Sequence, residues 1–155
     1  MDQLFGTDLS VVPNMVAYDA ASLDLTTKVR VIRRPKPGEP DTQTDLSLIE
    51  GRENVAQALL LRLLTPVGTL STLGHSDYGS RLGELIGRRK TEELRNLCRA
   101  FVLEAVAREP RVEPKAVELT FDPLAEQIDN FVLTVAVRPI RGGGEPVSLS
   151  LEVGL

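Results

Sequence analysis

Three carboxylates, Asp77, Glu84 and Glu109, stand beside glycines or at the end of a helix-like run, where an acid can be held in a fixed geometry. Glycoside hydrolysis needs two such groups flanking a sugar cleft, one of them with a raised pKa. Little in the sequence supplies the stacking surface of that cleft: there is no Trp, and only two Tyr and four Phe. His75 precedes Asp77 by two residues in "LGHSDYGS", a spacing that suggests acid–base work or metal ligation. A zinc site needs three or four ligands, and His75 is the only His while Cys98 is the only Cys. Cys98 lies on an apolar helical stripe, where it reads as a small packed hydrophobe rather than an activated nucleophile. "RGGGEP" lacks the Lys-Ser/Thr ending of a phosphate loop and leads into a strand, so it reads as a hairpin tip. The expectation is no catalytic residue, no metal and no cofactor. A lysozyme-type peptidoglycan hydrolase is the enzymatic alternative.

The stretch "AVAREPRV" offers a different kind of chemistry. Pro110 has no N–H and pushes Glu109 out of helical geometry, so a helix must stop here. A terminator with two solvated charges is the plain reading. The sharper one uses the same stiffness. Glu109 and Arg111 are presented with little conformational freedom, which lowers the entropy cost of gripping a partner. An Arg fork so held can make paired bonds to a carboxylate or to backbone carbonyls.

The elements that position these residues follow from pattern. Residues 1–24 show little periodicity and read as an extended arm or loop. "LTTKVRVIRR" alternates through Val29 and Val31, and "TDLSLIEG" alternates through Leu46 and Leu48. The Pro-rich "PKPGEPD" between them makes a hairpin-like pair. "RENVAQALLLRLLT" switches to helical spacing through Val55, Ala58, Leu59 and Leu63. "SRLGELIGRR" reads as a short helix capped by Ser80. The strongest stripe runs through Leu94, Leu97, Cys98, Phe101, Val102, Ala105 and Val106, with Thr91 as its cap. Three strands follow: "KAVELTF", then "NFVLTVAVRPI" as a central strand buried on both faces, then the strictly alternating "VSLSLEVGL". Short connections favour antiparallel pairing. The fold class is α+β: two to three helices packed against a small antiparallel or mixed sheet, ending in a β-meander.

Composition agrees with one soluble domain over residues 1–155. Residues 1–50 carry a net −3, residues 51–111 a net +3 and residues 112–155 a net −4. That middle is too weakly basic for a nucleic-acid footprint, and Glu92 and Glu93 directly follow the cluster Arg88, Arg89 and Lys90. No apolar run approaches the roughly 20 residues that span a bilayer. The start "MDQLFGTDLS" lacks the basic and apolar segments of a signal peptide, so cytoplasmic assembly is expected. Neither nucleic acid nor membrane is an expected partner.

One combination is more specific than any motif within it. Asn54 and Gln57 lie in the first helix, Tyr78-Gly79-Ser80 in the loop, and Glu109-Pro110-Arg111 before the strands. In this order, over residues 45–155, the chain resembles the baseplate wedge family of contractile phage tails. That family includes phage tail protein W, the lysozyme-like baseplate subunit of type VI secretion and counterparts in extracellular contractile injection particles. Residues 1–44 form an N-terminal extension outside the resemblance. The resemblance implies a structural subunit, present in several copies in a hexagonal baseplate. It would dock on the wedge core through Glu109, Pro110 and Arg111, contact the sheath protein, and lie near the tube and spike hub. It also implies β-strand sharing with the sheath, for which the terminal strand, at Leu149 and Leu151, is the candidate. A generic α+β adaptor is the remaining alternative.

Overall fold

The structure is a computed structural model and describes residues 6–14, 22–31, 37–38, 42–140 and 145–155. They fall in two compact units, Asp2–Asn54 and Val55–Leu155. The α+β class holds. The tip expected at "RGGGEP" lies largely outside the described residues, as does most of the Pro-rich loop, of which Pro37 and Gly38 form a turn.

The first unit is built from short strands that exchange partners. They are β1 (Thr7–Leu9), β2 (Val11–Asn14), β3 (Ser22–Leu25), β4 (Thr27–Val31), β5 (Thr42–Leu46) and β6 (Leu48–Glu50). All pairs are antiparallel: β1 with β6, β2 with β3, and β4 with β5. The β4–β5 hairpin is the one expected from alternation. The loop-like reading of residues 1–24 is corrected, because Thr7–Leu9, Val11–Asn14 and Ser22–Leu25 are all paired strands. "TDLSLIEG" is likewise two strands rather than one, β5 and β6, with different partners.

Single residues between consecutive strands make the joint. Ser10 N–H donates to Ser47 O at 2.8 Å, Ser47 N–H to Thr26 O at 2.9 Å, and Thr26 N–H to Ser10 O at 3.0 Å. This closed ring of three backbone bonds ties three two-stranded arms at one point. The Thr26 hydroxyl adds a bond to Ser10 O at 3.1 Å. None of residues 6–11, 25–31, 37–38 and 42–50 is buried, and the Val29 and Val31 side chains are exposed. Two-stranded pieces of this kind are marginal in water on their own.

The second unit has a conventional core. Helix α1 (Gly51–Leu64) starts in the last residues of the first unit; its buried positions here include Val55, Leu59 and Leu63. Helix α2 (Glu92–Ala107) buries Leu94, Cys98, Phe101, Val102, Ala105 and Val106, the stripe read from the sequence. Strands β7 (Val112–Phe121), β8 (Asn130–Pro139) and β9 (Val147–Gly154) form an antiparallel meander in that order. β8 is central, but it is not buried on both faces. Phe131, Leu133, Val135 and Val137 are buried, whereas Thr134 and Arg138 on the other face are exposed. Three strands and two helices can cover only one face of the sheet. The Phe121 and Phe131 rings meet edge to face at 5.7 Å.

Between the helices the chain makes two single-turn 3-10 segments, Ser71–Leu73 and Leu82–Leu85. The short helix expected over 80–89 is a single 3-10 turn; the Ser80 hydroxyl accepts from Leu82 N–H at its start at 3.3 Å and also donates to the end of α1. Thr91 does cap α2: it is extended and its hydroxyl accepts from Leu94 N–H at 3.1 Å. Replacing Thr91 by Ala is expected to cost about 1 kcal/mol, and by Ser much less. Chemical denaturation of the two variants checks this, and equal losses would contradict the capping role.

Candidate functional site

Two of the three segments behind the sequence resemblance, Tyr78-Gly79-Ser80 and Glu109-Pro110-Arg111, meet the C-terminal end of α1 in the second unit, whereas Asn54 lies at the other end of α1 and donates to Gly6 O at 3.2 Å. α1 ends in carbonyls without helical partners. The Ser80 hydroxyl donates to Leu63 O at 2.6 Å and its N–H to Thr65 O at 2.8 Å, while its own carbonyl accepts from Val67 N–H at 2.9 Å. Gly79 makes this clasp possible. Its φ is +114°, and a Cβ there would lie 2.5 Å from Thr65 O and 2.9 Å from Val67 N. No side chain fits without moving backbone. Tyr78, the third member, lies under the Arg62 guanidinium, 4.5 Å from ring centroid to Cζ.

Arg62 carries the link to the Glu109-Pro110-Arg111 corner. Its Nη2 lies 3.4 Å from Glu109 Oε2, and Arg111 Nε lies 2.6 Å from Glu109 Oε1. One carboxylate thus stands between two guanidiniums from different parts of the chain. Pro110 occupies the second position of a turn closed by Val112 N–H to Glu109 O at 3.1 Å, where its fixed φ suits. Glu109 N–H finishes α2 on Val106 O at 3.0 Å, and Ile140 N–H joins Arg111 O at 2.9 Å. Arg108 bridges back to the loop through Asp77 O at 3.0 Å.

The geometry changes one expectation. Glu109 is not presented to solvent beside Arg111. It is 4% exposed and turned inward, because the buried Arg62 needs its charge. Arg111 stays 30% exposed at the side chain. Of the expected triplet, Arg111 and the exposed Pro110 form the surface, and Glu109 holds them from beneath. Arg62 was missed in the sequence because it sits inside an otherwise apolar run, "ALLLRLL"; a lone Arg at a buried helical position was the available signal.

The other candidates are dispersed. Asp77 and His75 are exposed loop residues. Glu84 forms a two-pronged pair with Arg81 at 2.7 and 2.9 Å, and that hydrogen bond holds its carboxyl below the ordinary range, the opposite of a general acid. Cys98 is fully buried, and desolvation raises its thiol pKa to about 11. Among the described residues no three His, Cys, Asp or Glu side chains converge as a metal-ligand set, and no helix is long and apolar enough to cross a membrane.

Among the described residues no strand pairs with the outer margin of the terminal strand. Leu155 N–H bonds Asp129 O at 2.7 Å, so by antiparallel alternation Leu149 and Leu151 turn their backbone groups toward β8. The outward N–H and C=O groups belong to Ser148, Ser150, Glu152 and Gly154. β9 is an edge strand, and Leu149 and Leu151 contribute core-facing side chains rather than the edge itself. At the opposite margin, Arg99 Nη1 occupies Leu119 O of β7 at 3.1 Å.

A second polar cluster fastens the β7–β8 loop, residues 122–129. The Arg95 guanidinium pairs both oxygens of Glu126 at 2.6 and 2.7 Å, and lies 4.8 Å from the Phe121 centroid and 4.7 Å from that of Phe131. Lys90 Nζ reaches Glu126 at 2.9 Å and the carbonyls of Gln127 and Asn130 at 2.6 and 2.8 Å. The Arg95 and Lys90 hydrogen bonds outweigh desolvation and lower the Glu126 pKa to about 2. Nothing in the sequence pattern distinguished Glu126 from other loop acids.

Searches against family models, curated proteins and solved structures return no match to this chain.

Two outcomes follow from these clusters. Glu109→Gln strands the buried Arg62 and is expected to cost roughly 2–4 kcal/mol, against less than about 1 for Arg111→Gln at the half-exposed position. Denaturant titrations decide it, and a reversed order would sink the inward role of Glu109. A lowered carboxyl pKa contributes stability that is complete above the ordinary value of 4.5 and is lost as pH falls toward 2. Up to roughly 3 kcal/mol is expected to disappear across that window, and Glu126→Gln should flatten this part of the stability–pH curve. An unchanged slope in the variant would contradict the clamp.

Proposed function

We propose that this chain is a structural subunit of the baseplate of a contractile tail-like injection system, and not an enzyme. It docks on the wedge core through the corner at Pro110 and Arg111, and it anchors the first sheath ring by sharing β-strands. The observation that carries the reading is the meeting of Tyr78-Gly79-Ser80 and Glu109-Pro110-Arg111 through Arg62 and Leu63 at the end of the first helix. A guanidinium held half-exposed by a buried carboxylate is preorganised for a partner's carboxylate or carbonyls.

Two further features support strand sharing. The outer margin of β9 has no strand paired to it among the described residues, and its Ser148 and Ser150 groups can template another strand. The arms of the first unit bury none of their described side chains, as expected of strands completed by neighbours rather than by a core of their own. Glycoside hydrolysis fits less well, because Glu109 is enclosed by two guanidiniums and Glu84 is held ionised by Arg81.

The test separates docking from folding. Arg111→Gln, which removes the charge without setting a second acid against Glu109, is expected to abolish incorporation into baseplates when the chain is produced with the sheath and wedge subunits of its own particle, with its melting temperature only slightly lowered. Ser150→Pro removes an outward N–H and spares the bonds to β8, so it is expected to leave a folded subunit that fails to seat sheath. Normal assembly by both folded variants would overturn the proposal.

A further inference from the structure

The β7–β8 loop is held far more firmly than a connection requires. Asp122 O accepts from Ala125 N–H at 3.2 Å, Asp122 Oδ1 from Leu124 N–H at 3.1 Å, and Asn130 Oδ1 from Gln127 N–H at 2.6 Å. Arg95 and Lys90 clamp Glu126 from below. What the braced loop displays is apolar. Leu124 is 98% exposed and Ile128 is 91% exposed. Large aliphatic side chains carried on a braced backbone leave only their own rotamers to be ordered when a partner covers them, which suits an interface anchor.

The same unit carries a matching recess. An open groove of about 240 Å³ is lined mainly by apolar groups of Leu63, Pro66, Leu82, Ile86 and Val153. It lies at the end of the sheet where β9 finishes and β8 begins, the end from which the 122–129 loop projects. Charge is complementary as well. Asp122 and Asp129 are exposed at the two ends of the loop, and Arg88 and Arg89 are exposed just beyond Ile86.

We propose that the Leu124/Ile128 loop of one copy seats in the Leu63–Pro66–Ile86–Val153 groove of a second copy of this chain, with Asp122 and Asp129 facing Arg88 and Arg89. Because loop and groove share one end of the sheet, a twofold axis can fill both grooves at once, the self-complementary arrangement of most homodimers. Four inserted side chains and the walls they cover amount to on the order of 1,000 Å², the low end of specific interfaces, so the association is weak and depends on concentration. The groove borders the clasp of Ser80 on α1 and the last residues of β9, but it contains neither Pro110 nor Arg111 and neither Ser148 nor Ser150, and the purified chain alone tests it.

Sedimentation equilibrium of the full chain is expected to show the mass rising from one chain toward two between micromolar and millimolar concentration. The double variant Leu124→Asp, Ile128→Asp and the groove variant Ile86→Asp change exposed positions. Each is expected to stay monomeric with an unaltered melting curve. Mixed in equal amounts they are expected to associate again, because one intact loop then meets one intact groove. The charge pair Asp129→Arg and Arg88→Asp should behave in the same way, each weakening association alone and restoring it when mixed. A mass of one chain at every concentration, self-association that survives the loop variant, or mixtures that fail to recover would each overturn the proposal.

Discussion

The Glu109 carboxylate decides how the second unit is closed. Arg62 projects from α1 into a buried position, and an uncompensated guanidinium there would cost several kcal/mol. Glu109 arrives from the end of α2, 47 residues later, and supplies the countercharge. The contact to Arg62 is long, at 3.4 Å, whereas that to Arg111 is short, at 2.6 Å. The carboxylate is therefore held mainly by its neighbour across the proline and shared with the distant helix. Burial of this kind is weak evidence for net stability, but it admits few alternative registers. The clasp of Ser80 on α1 and the stacking of Arg62 on Tyr78 fix the same corner from the other side.

Stiffness is distributed unequally between the two units. In the second, aliphatic and Phe side chains from two helices and one face of the meander make a packed core, and polar clamps at Glu109 and Glu126 fasten its corner and its β7–β8 loop. In the first, order rests on backbone ladders and on one ring of three bonds through Ser10, Thr26 and Ser47. Each backbone bond contributes only about 1 kcal/mol net. Without apolar burial such a ring can hold a geometry but adds little to stability.

How much of this was legible depended on the range of the interactions. The stripe of α2 and its Thr91 cap are local, period-bearing features, and they stand in the structure as read. The alternation of β9 is equally local. The strands β1, β2 and β3 were hidden, because runs of three or four residues are too short to show a period and β1 finds its partner more than forty residues away. The two-faced burial expected of β8 failed because hydrophobicity along a strand cannot report how many layers cover it. Ser80 was readable at the start of the 80–89 turn, where its hydroxyl accepts from Leu82 N–H, but its second bond, to Leu63 O at the end of α1, carries no local signal.

The corner shows the same limit most clearly. Stiffness at Glu109-Pro110-Arg111 was readable, since proline geometry is local. The direction in which Glu109 points was not, because it is set by Arg62, whose burial is a tertiary fact. A charge before a proline is equally compatible with presentation and with enclosure, and only the location of its counter-ion separates them. Once Arg62 is known to be buried, the roles divide without further assumption. The enclosed acid cannot reach a partner, the half-exposed base can, and the proline between them keeps the second from following the first inward. Any recognition at this corner must therefore run through the guanidinium and the ring of Pro110, with the acid felt only through the orientation it imposes.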